Sequence, residues 1–380
     1  MPGGCPAGRS PGAGRRLPFG WCWFNNVRGA AHRVEHDLNL ANREAAQEEE
    51  ISDLLTMGAP VPLSGRYAAQ GAQMREGLRL WARLTGGELV VEDDGSRPER
   101  STELYRGMLD RCRLVLGPYG SDSVRAVARS GFAKPLWNHG GAADDVQRLG
   151  GVVSVPSPAS LYLVALARAV ALLQPGAVVV VASGEGRFAR LAREGLDHEA
   201  EALGLGRSRS FALKDAPELI AASEPDAVLL CGPVEQEIPV LRALRARVPL
   251  IGGISPGLQA FPALLGADPE GYVAPVQWHP LVGLAPQLGP GTAEVLEEAR
   301  AAGCPSLDYV ALQAFAGALI AARCRELAPD DLLGAARRLR TTTCFGTFEL
   351  DPETGMQRGH RLSVIRWSAG EQELLLADAA

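Results

Sequence analysis

Three short segments of this 380-residue chain carry residue types that could do chemistry, and each lacks something the chemistry needs. Gly253-Ile254-Ser255-Pro256-Gly257 has the G-x-S-x-G spacing of a nucleophile elbow, whose oxyanion hole uses the N–H of the residue after the serine. That residue is Pro256, which has no N–H. His32-Arg33-Val34-Glu35-His36 has the H-x-x-E-H spacing that places two imidazoles on one helical face, where they could hold zinc with the glutamate as base. No catalytic domain is built around it, so a solvated helix is the expectation. Gly184-Glu185-Gly186-Arg187-Phe188-Ala189 follows an apolar run and matches G-x-G-x-x-A, the turn that brings backbone N–H groups to a pyrophosphate. About twenty residues on, where a ribose-binding acid belongs, the chain has Gly204-Leu205-Gly206. A tight strand-to-helix turn is the better reading, and a nicotinamide enzyme rests on this segment alone. His139, His198, His279 and His360 are far apart in sequence, and no glycine-rich loop ends in Lys-Ser or Lys-Thr. The chain is expected to bind rather than catalyse, with no metal and no cofactor.

Binding has a better sequence basis. Pro62-Leu63-Ser64-Gly65-Arg66-Tyr67-Ala68-Ala69-Gln70-Gly71 lies between the apolar run Leu54 to Val61, read as a buried strand, and Gln73 to Leu84, which keeps Leu78, Trp81 and Leu84 at helical spacing. A polar loop at the carboxyl end of a strand, where a helix begins, is where open α/β sheets bind small ligands, because the first N–H groups of the helix are free. Similar loops recur at Gly117 to Ser123, at Pro135 to Ala142 and at Gln277 to Pro280.

The elements that must position these loops alternate. Apolar runs at Leu89 to Val91, Arg113 to Gly117, Pro135 to Trp137, Ala177 to Ala182, Ala227 to Cys231 and Pro249 to Gly252 are separated by segments of helical length. That rhythm implies parallel sheets with helices on both faces. Two such series appear, closing with β-rich stretches at Gly151 to Pro156 and Gly271 to Gln277. Helices are expected at Gly291 to Ala302 and Leu307 to Leu327, then strands at Cys344 to Leu350, Arg361 to Trp367 and Glu373 to Leu376. The length suits two lobes. A net charge of -6 with scattered basic residues gives no footprint for nucleic acid, and no apolar run is long enough to span a bilayer. Seven irregularly spaced cysteines form neither a disulfide framework nor a zinc motif. Residues 1–50 are expected to be a disordered extension or the product of a mis-assigned start codon, with no secretory signal visible.

The loops occur in the order and spacing of type I periplasmic binding proteins, and the chain resembles their leucine/isoleucine/valine-binding branch, the substrate-binding subunits of ABC transporters. The resemblance covers residues 51 to 378. It implies an α/β fold of two Rossmann-like lobes with parallel sheets joined by three crossovers, lobe one comprising 51–155 and 279–335, lobe two 156–278 and 336–380. It further implies a solute receptor, not an enzyme, that closes on a small amino acid, carboxylate or amide and delivers it to a membrane permease. An extracytoplasmic location follows by resemblance. A sensory protein of the same fold is the alternative.

By position, Ser121 and the backbone at Gly140, Gly141 and Ala142 would take a ligand carboxylate, with Ser64 and Tyr67 on the same rim. Helix capping is the competing role for Ser121, and ordinary packing for Tyr67 and Trp278. The second lobe departs from the family pattern. Arg187-Phe188 stands where an aromatic residue followed by glycine is common, and no carboxylate lies near Gly252 to Ser255 for a ligand ammonium. Phe188 and Glu235 are the candidates there, although a glutamate in the first turn of a helix needs no ligand to explain it.

Overall fold

A computed structural model describes residues 55–204, 209–304 and 306–378. The 1–50 extension and the His32 to His36 motif lie outside the described residues.

The first half alternates strand and helix without a break. Strands β1 (Thr56–Val61), β2 (Glu88–Asp93), β3 (Leu114–Val115), β4 (Leu136–Asn138) and β5 (Val152–Ser154) are separated by helices α1 (Ala68–Thr85), α2 (Pro98–Leu109), α3 (Ser121–Arg129) and α4 (Asp144–Gln147). β1 pairs in parallel with β2 and β3, and β4 with β5. Parallel bridges Leu116 to Trp137 and Tyr119 to Gly140 join the two pieces, giving the order β2-β1-β3-β4-β5. Neighbouring connections leave β1 and β3 in opposite directions, which opens a crevice at their carboxyl ends.

The same winding recurs in the second half. Here α5 (Ser160–Leu173), β6 (Val179–Ser183), α6 (Arg187–Glu199), β7 (Arg209–Ala212), α7 (Ala216–Ala221), β8 (Ala227–Cys231), α8 (Val234–Leu244), β9 (Leu250–Gly252), α9 (Phe261–Leu265) and β10 (Val273–Val276) follow one another. The sheet reads β14-β13-β10-β9-β8-β6-β7, so its parallel part repeats the first lobe's order and opens a crevice between β6 and β8. Period-two alternation sends Val179 and Val181 to one core and Val180 and Ala182 to the other.

The chain then returns to the first lobe. Helices α10 (Thr292–Ala301), α11 (Tyr309–Leu327) and α12 (Leu332–Arg338) precede strands β11 (Thr341–Thr342), β12 (Thr347–Phe348), β13 (Ser363–Ser368) and β14 (Glu371–Leu376). Helix α11 is buried on every side from Val310 to Ala321, with Gln313 its one polar side chain, and packs with Met57, Val61 and Trp81, as a fully enclosed helix does. The β11–β12 hairpin puts Cys344, Phe345, Phe348 and Leu350 into that same core. The expected boundary at 336 assigned this hairpin to the second lobe; its apolar side chains instead finish the first. Only with β13, antiparallel on β10, does the chain rejoin the second sheet.

Three segments cross between the lobes, and buried hydrogen bonds stitch them together. Ser157 N–H donates to Gln277 Oε1 at 3.0 Å and Gln277 Nε2 returns a bond to Ser157 O at 3.2 Å. The Ser157 hydroxyl donates to His360 O at 3.1 Å, and His360 Nε2 lies 2.8 Å from Gln277 O. A carbonyl at that distance requires Nε2 to carry the proton. Burial pushes the imidazole pKa down to about 4, so the ring stays neutral. No helix among the described residues is long and apolar enough to cross a membrane.

Candidate ligand-binding site

The strand-end loops of both lobes enclose a cleft of about 280 Å³. On the first lobe its wall begins with Tyr67, which precedes α1 and whose N–H is held by Ser96 Oγ at 3.1 Å. The Tyr67 ring meets Tyr119 edge-on at 5.4 Å. Between them Gly120 has φ +92°, and a Cβ there would lie 3.0 Å from the Tyr67 ring, so only glycine lets the β3 loop pass. The loop delivers Ser121 as the first residue of α3.

Ser121 does not cap its own helix. Gly120 occupies the cap position with no side-chain bond, and the Ser121 oxygen instead accepts the Ala143 N–H at 3.1 Å. That bond ties the loop after β3 to the loop after β4 and leaves the hydroxyl hydrogen to donate. The N–H groups of the first turn of α3 have no intrahelical acceptor, and no hydrogen bond among the described residues uses the Ala142 N–H. Hydroxyl and amide donors at a helix N-terminus form a cradle for a carboxylate. Gly140 belongs to the same wall; a Cβ on it would lie 2.8 Å from Tyr119 Cα.

The second lobe supplies Arg187 and Phe188 at the start of α6, Gly232 to Glu235 at the start of α8, and Ile254 and Ser255 after β9. Phe188 meets Tyr162 edge-on at 5.1 Å, and Tyr119 and Tyr309 extend the aromatic floor. Burial raises the phenol pKa of both Tyr119 and Tyr309, so both remain neutral hydroxyls. Charges rim the cleft. Arg125 bonds Asp122 at 2.6 Å and Asp145 at 3.2 Å, and Arg187 reaches the same Asp145. Arg66 lies 4.4 Å from the Tyr67 ring centre and bonds the Tyr67 hydroxyl.

Six of the residues expected from sequence therefore share this cleft: Tyr67, Ser121, Gly140, Ala142, Phe188 and Glu235. Three are placed elsewhere. Ser64 turns to β2, its hydroxyl donating to Asp93 at 2.7 Å. Gly141 is pinned by Asn138, whose Oδ1 accepts its N–H at 2.7 Å. Trp278 is buried in the first core with Nε1 donating to Cys344 O at 2.8 Å, because a crossover tryptophan has apolar surface to bury on both sides. Sequence reasoning did not single out Arg66, Tyr119, Arg125, Tyr162 or Tyr309, and it weighed Ser255 only as a nucleophile. Arg66 and Tyr119 sit inside the strand-end loops already quoted; Arg125 and Tyr162 lie on helices, with no local signal.

Neither catalytic motif within the described residues is completed. Ser255 is next to Pro256 in a turn of 3-10 helix, and the glycines after β6 make a strand-to-helix turn in which Gly184 N–H donates to Cys231 O at 2.9 Å. Among the described residues no three His, Cys, Asp or Glu side chains cluster to hold a metal.

The fold has many solved counterparts. A leucine-binding protein from Thermotoga maritima superposes with a TM-score of 0.71 at 16% identity, covering 84% of this chain and 97% of the other. An ABC transporter solute-binding protein from R. palustris, solved with 4-hydroxybenzoate, gives 0.70 at 18% identity, covering 86% and 96%. A branched-chain amino acid transporter substrate-binding protein from Streptococcus pneumoniae, solved with isoleucine, gives 0.70 at 14% identity, covering 84% and 98%. No curated protein matches the sequence. The model of the family described as periplasmic binding protein matches residues 55–372, nearly all of the two-lobed body, and the chain belongs to that family.

Proposed function

We propose that this protein is an extracytoplasmic solute receptor that holds a small carboxylate, an amino acid or a related acid or amide, between its lobes and delivers it to an ABC transporter permease. The observation that carries this reading is the donor cradle of Ser121 and Ala142 facing a second lobe across one cleft. A ligand that touches both lobes favours the closed state by its differential affinity for the two arrangements. The permease reads that closed shape. Nothing is turned over: Ser255 has the Glu237 carboxylate beside it, but Pro256 follows and supplies no N–H for an oxyanion hole. Two ligands held by counterparts of this fold, isoleucine and 4-hydroxybenzoate, are both small carboxylates.

The test is a thermal-shift screen of amino acids, small carboxylates, amides and polyols, followed by X-ray scattering on any hit. At a hundredfold excess over Kd the linked stabilisation is about 2.7 kcal/mol, which raises Tm by a few degrees in a chain of this size. The bound form has the smaller radius of gyration. A screen with no shift, or a ligand recovered chemically changed with steady turnover, refutes the reading.

A further inference from the structure

The loops after β8 and β9 both line the second lobe's side of the cleft, and one buried side chain joins them. Glu237 of α8 is fully buried. Its Oε1 accepts the Gly232 N–H at 2.8 Å and the Ile254 N–H at 3.4 Å, and its Oε2 accepts the Ser255 N–H at 2.7 Å. A Cβ at Gly253 would stand 3.3 Å from Oε2, so the loop closes tightly over the carboxylate. Ser255, though only 1% exposed, lines the cleft. Its hydroxyl lies beside the Glu237 carboxylate but makes no hydrogen bond of ordinary geometry, there or elsewhere among the described residues. A buried hydroxyl left in that condition is costly unless something uses it.

We propose that Glu237 is a positioning residue of the cleft: it clamps the two loops together and presents the Ser255 hydroxyl as the acceptor for a hydrogen-bond donor on the ligand. The proposal rests on the receptor reading. An ionised carboxylate beneath Ser255 draws the hydroxyl hydrogen inward, which turns the oxygen lone pairs toward the cleft. With Ser121 and Ala142 taking a carboxylate on the opposite lobe, the ligand class is a small acid bearing an ammonium, alcohol or phenol group at its far end. This lobe receives the donor through a neutral oxygen, with its negative charge one layer below.

The clamp depends on protonation. Burial pushes the Glu237 pKa up to about 7, against the pull of the Ser255 hydroxyl and of the Ser255, Gly232 and Ile254 N–H groups. Protonation gives one carboxyl oxygen a hydrogen, so an N–H loses its acceptor and the Ser255 hydroxyl loses its inward pull. Cys231 at the end of β8 is the titratable group coupled to Glu237, and burial holds it as a thiol. Around the helix, Lys214 lies 3.8 Å from Glu185, Asp215 ends the short helix before α7, and Arg242 and Arg245 bond Leu265 O and Asp268. The turns Ser255–Gly257 and Phe261–Leu265 carry no ionisable side chain.

The experiment is calorimetric titration of two matched probe pairs, 4-hydroxybenzoate with benzoate and L-isoleucine with 3-methylpentanoate, into the full chain and into Ser255→Ala, Glu237→Gln and Ser121→Ala. At least one donor-bearing probe should bind about tenfold more tightly than its donor-free partner. Ser255→Ala and Glu237→Gln should remove that discrimination, whereas Ser121→Ala should weaken both members of the pair alike. Lowering the pH from about 8 to about 6 should weaken the donor-bearing probe severalfold in the wild type and not in Glu237→Gln. Carboxyl and phenol groups of the probes titrate near 4 and near 10, outside that window. If Ser255→Ala does not fold, the wild-type pH profile decides by itself. Discrimination that survives Ser255→Ala, a flat pH profile, or no binding of either donor-bearing probe overturns the proposal. Failure of the receptor reading looks different: no compound of the wider screen binds at all.

Discussion

Arg187 Nε of the second lobe stands 2.8 Å from Asp145 Oδ2 of the first, and Asp145 is shared with Arg125. The pair bridges the rim of the cleft, yet the Arg187 side chain is 47% exposed. Water and salt screen such a contact, which limits it to about 0.2–1 kcal/mol. Arg187→Ala should lower ligand affinity by no more than about fivefold and slightly enlarge the ligand-free protein in X-ray scattering. High salt should erase the difference from wild type. A loss of a hundredfold would place Arg187 in direct contact with the ligand instead.

Ser121→Ala removes a hydroxyl aimed at a carboxylate and also the acceptor of the Ala143 N–H. A hydrogen bond to a charged group is worth about 1.5 to 3 kcal/mol, so affinity should fall roughly tenfold to a hundredfold. Stability should drop by about 1 kcal/mol from the orphaned Ala143 amide. Calorimetry and denaturant melts on the one variant measure both. Lost stability with unchanged affinity would confine Ser121 to bracing the loop.

Burial raises the Glu237 and Asp308 pKa values to about 7 and about 6. Carboxyls raised in this way favour the fold while protonated; their contribution is full below the ordinary carboxylate range and is lost as pH rises through about 6 and 7. His139 and His360, both pushed by burial down to about 4, favour the fold while neutral and lose that contribution as pH falls from 6.5 through about 4. The two limbs overlap from about pH 4 to 6.5 and oppose each other there, so the Glu237 loss stands alone only from about pH 6.5 to 7. For Glu237 alone the alkaline loss is on the order of 3 kcal/mol. Glu237→Gln, which cannot ionise, should flatten that limb in denaturant melts. A wild type that grows steadily more stable from about pH 6 to 9 would contradict this. Below about pH 7 the Glu237 contribution to stability, read as wild type minus Glu237→Gln, should rise while ligand affinity falls, which separates the two effects of one carboxyl.

Two helix glycines should respond to alanine with opposite signs. At Gly77 in α1 a Cβ would lie 2.0 Å from the Ala311 carbonyl of α11, so Gly77→Ala must push two packed helices apart and cost about 1–3 kcal/mol or more. At Gly107 in α2 a Cβ meets nothing within 4 Å. There the change should add about 0.5–1 kcal/mol through backbone entropy and helix propensity. Thermal melts of the two variants, side by side, test whether space or propensity governs each site.

The strand and helix rhythm was legible because strands buried on both faces read as short apolar runs, as at Ala227–Cys231. β7 was not legible: Arg209–Ala212 is a four-residue edge strand whose one large apolar residue, Phe211, is partly buried. α12 was missed because Leu332–Arg338 is barely two turns long, with buried alanines rather than large apolar residues. The first lobe's half of the site could be read because its donors sit in consecutive strand-end loops. Glu237 could not: a glutamate in the opening turns of a helix looks the same whether it faces solvent or lies under two loops. The winding order shared by both lobes was also hidden, since pairing partners are far apart in sequence and no sequence repeat marks them.

The pairing of β10 with β13 has a consequence for synthesis. Val276 lies opposite Ser363, so the second sheet cannot be completed until nearly the whole polypeptide has left the ribosome. The first lobe likewise waits for α11 to cover Met57 and Trp81. At translation rates of about 5–20 residues per second, the apolar faces stay uncovered for roughly 4–17 s in the second sheet and roughly 11–46 s in the first. Because the closing segments of both lobes, Tyr309–Leu327 and Ser363–Ser368, come late in the chain, neither lobe can serve as a finished template for the other.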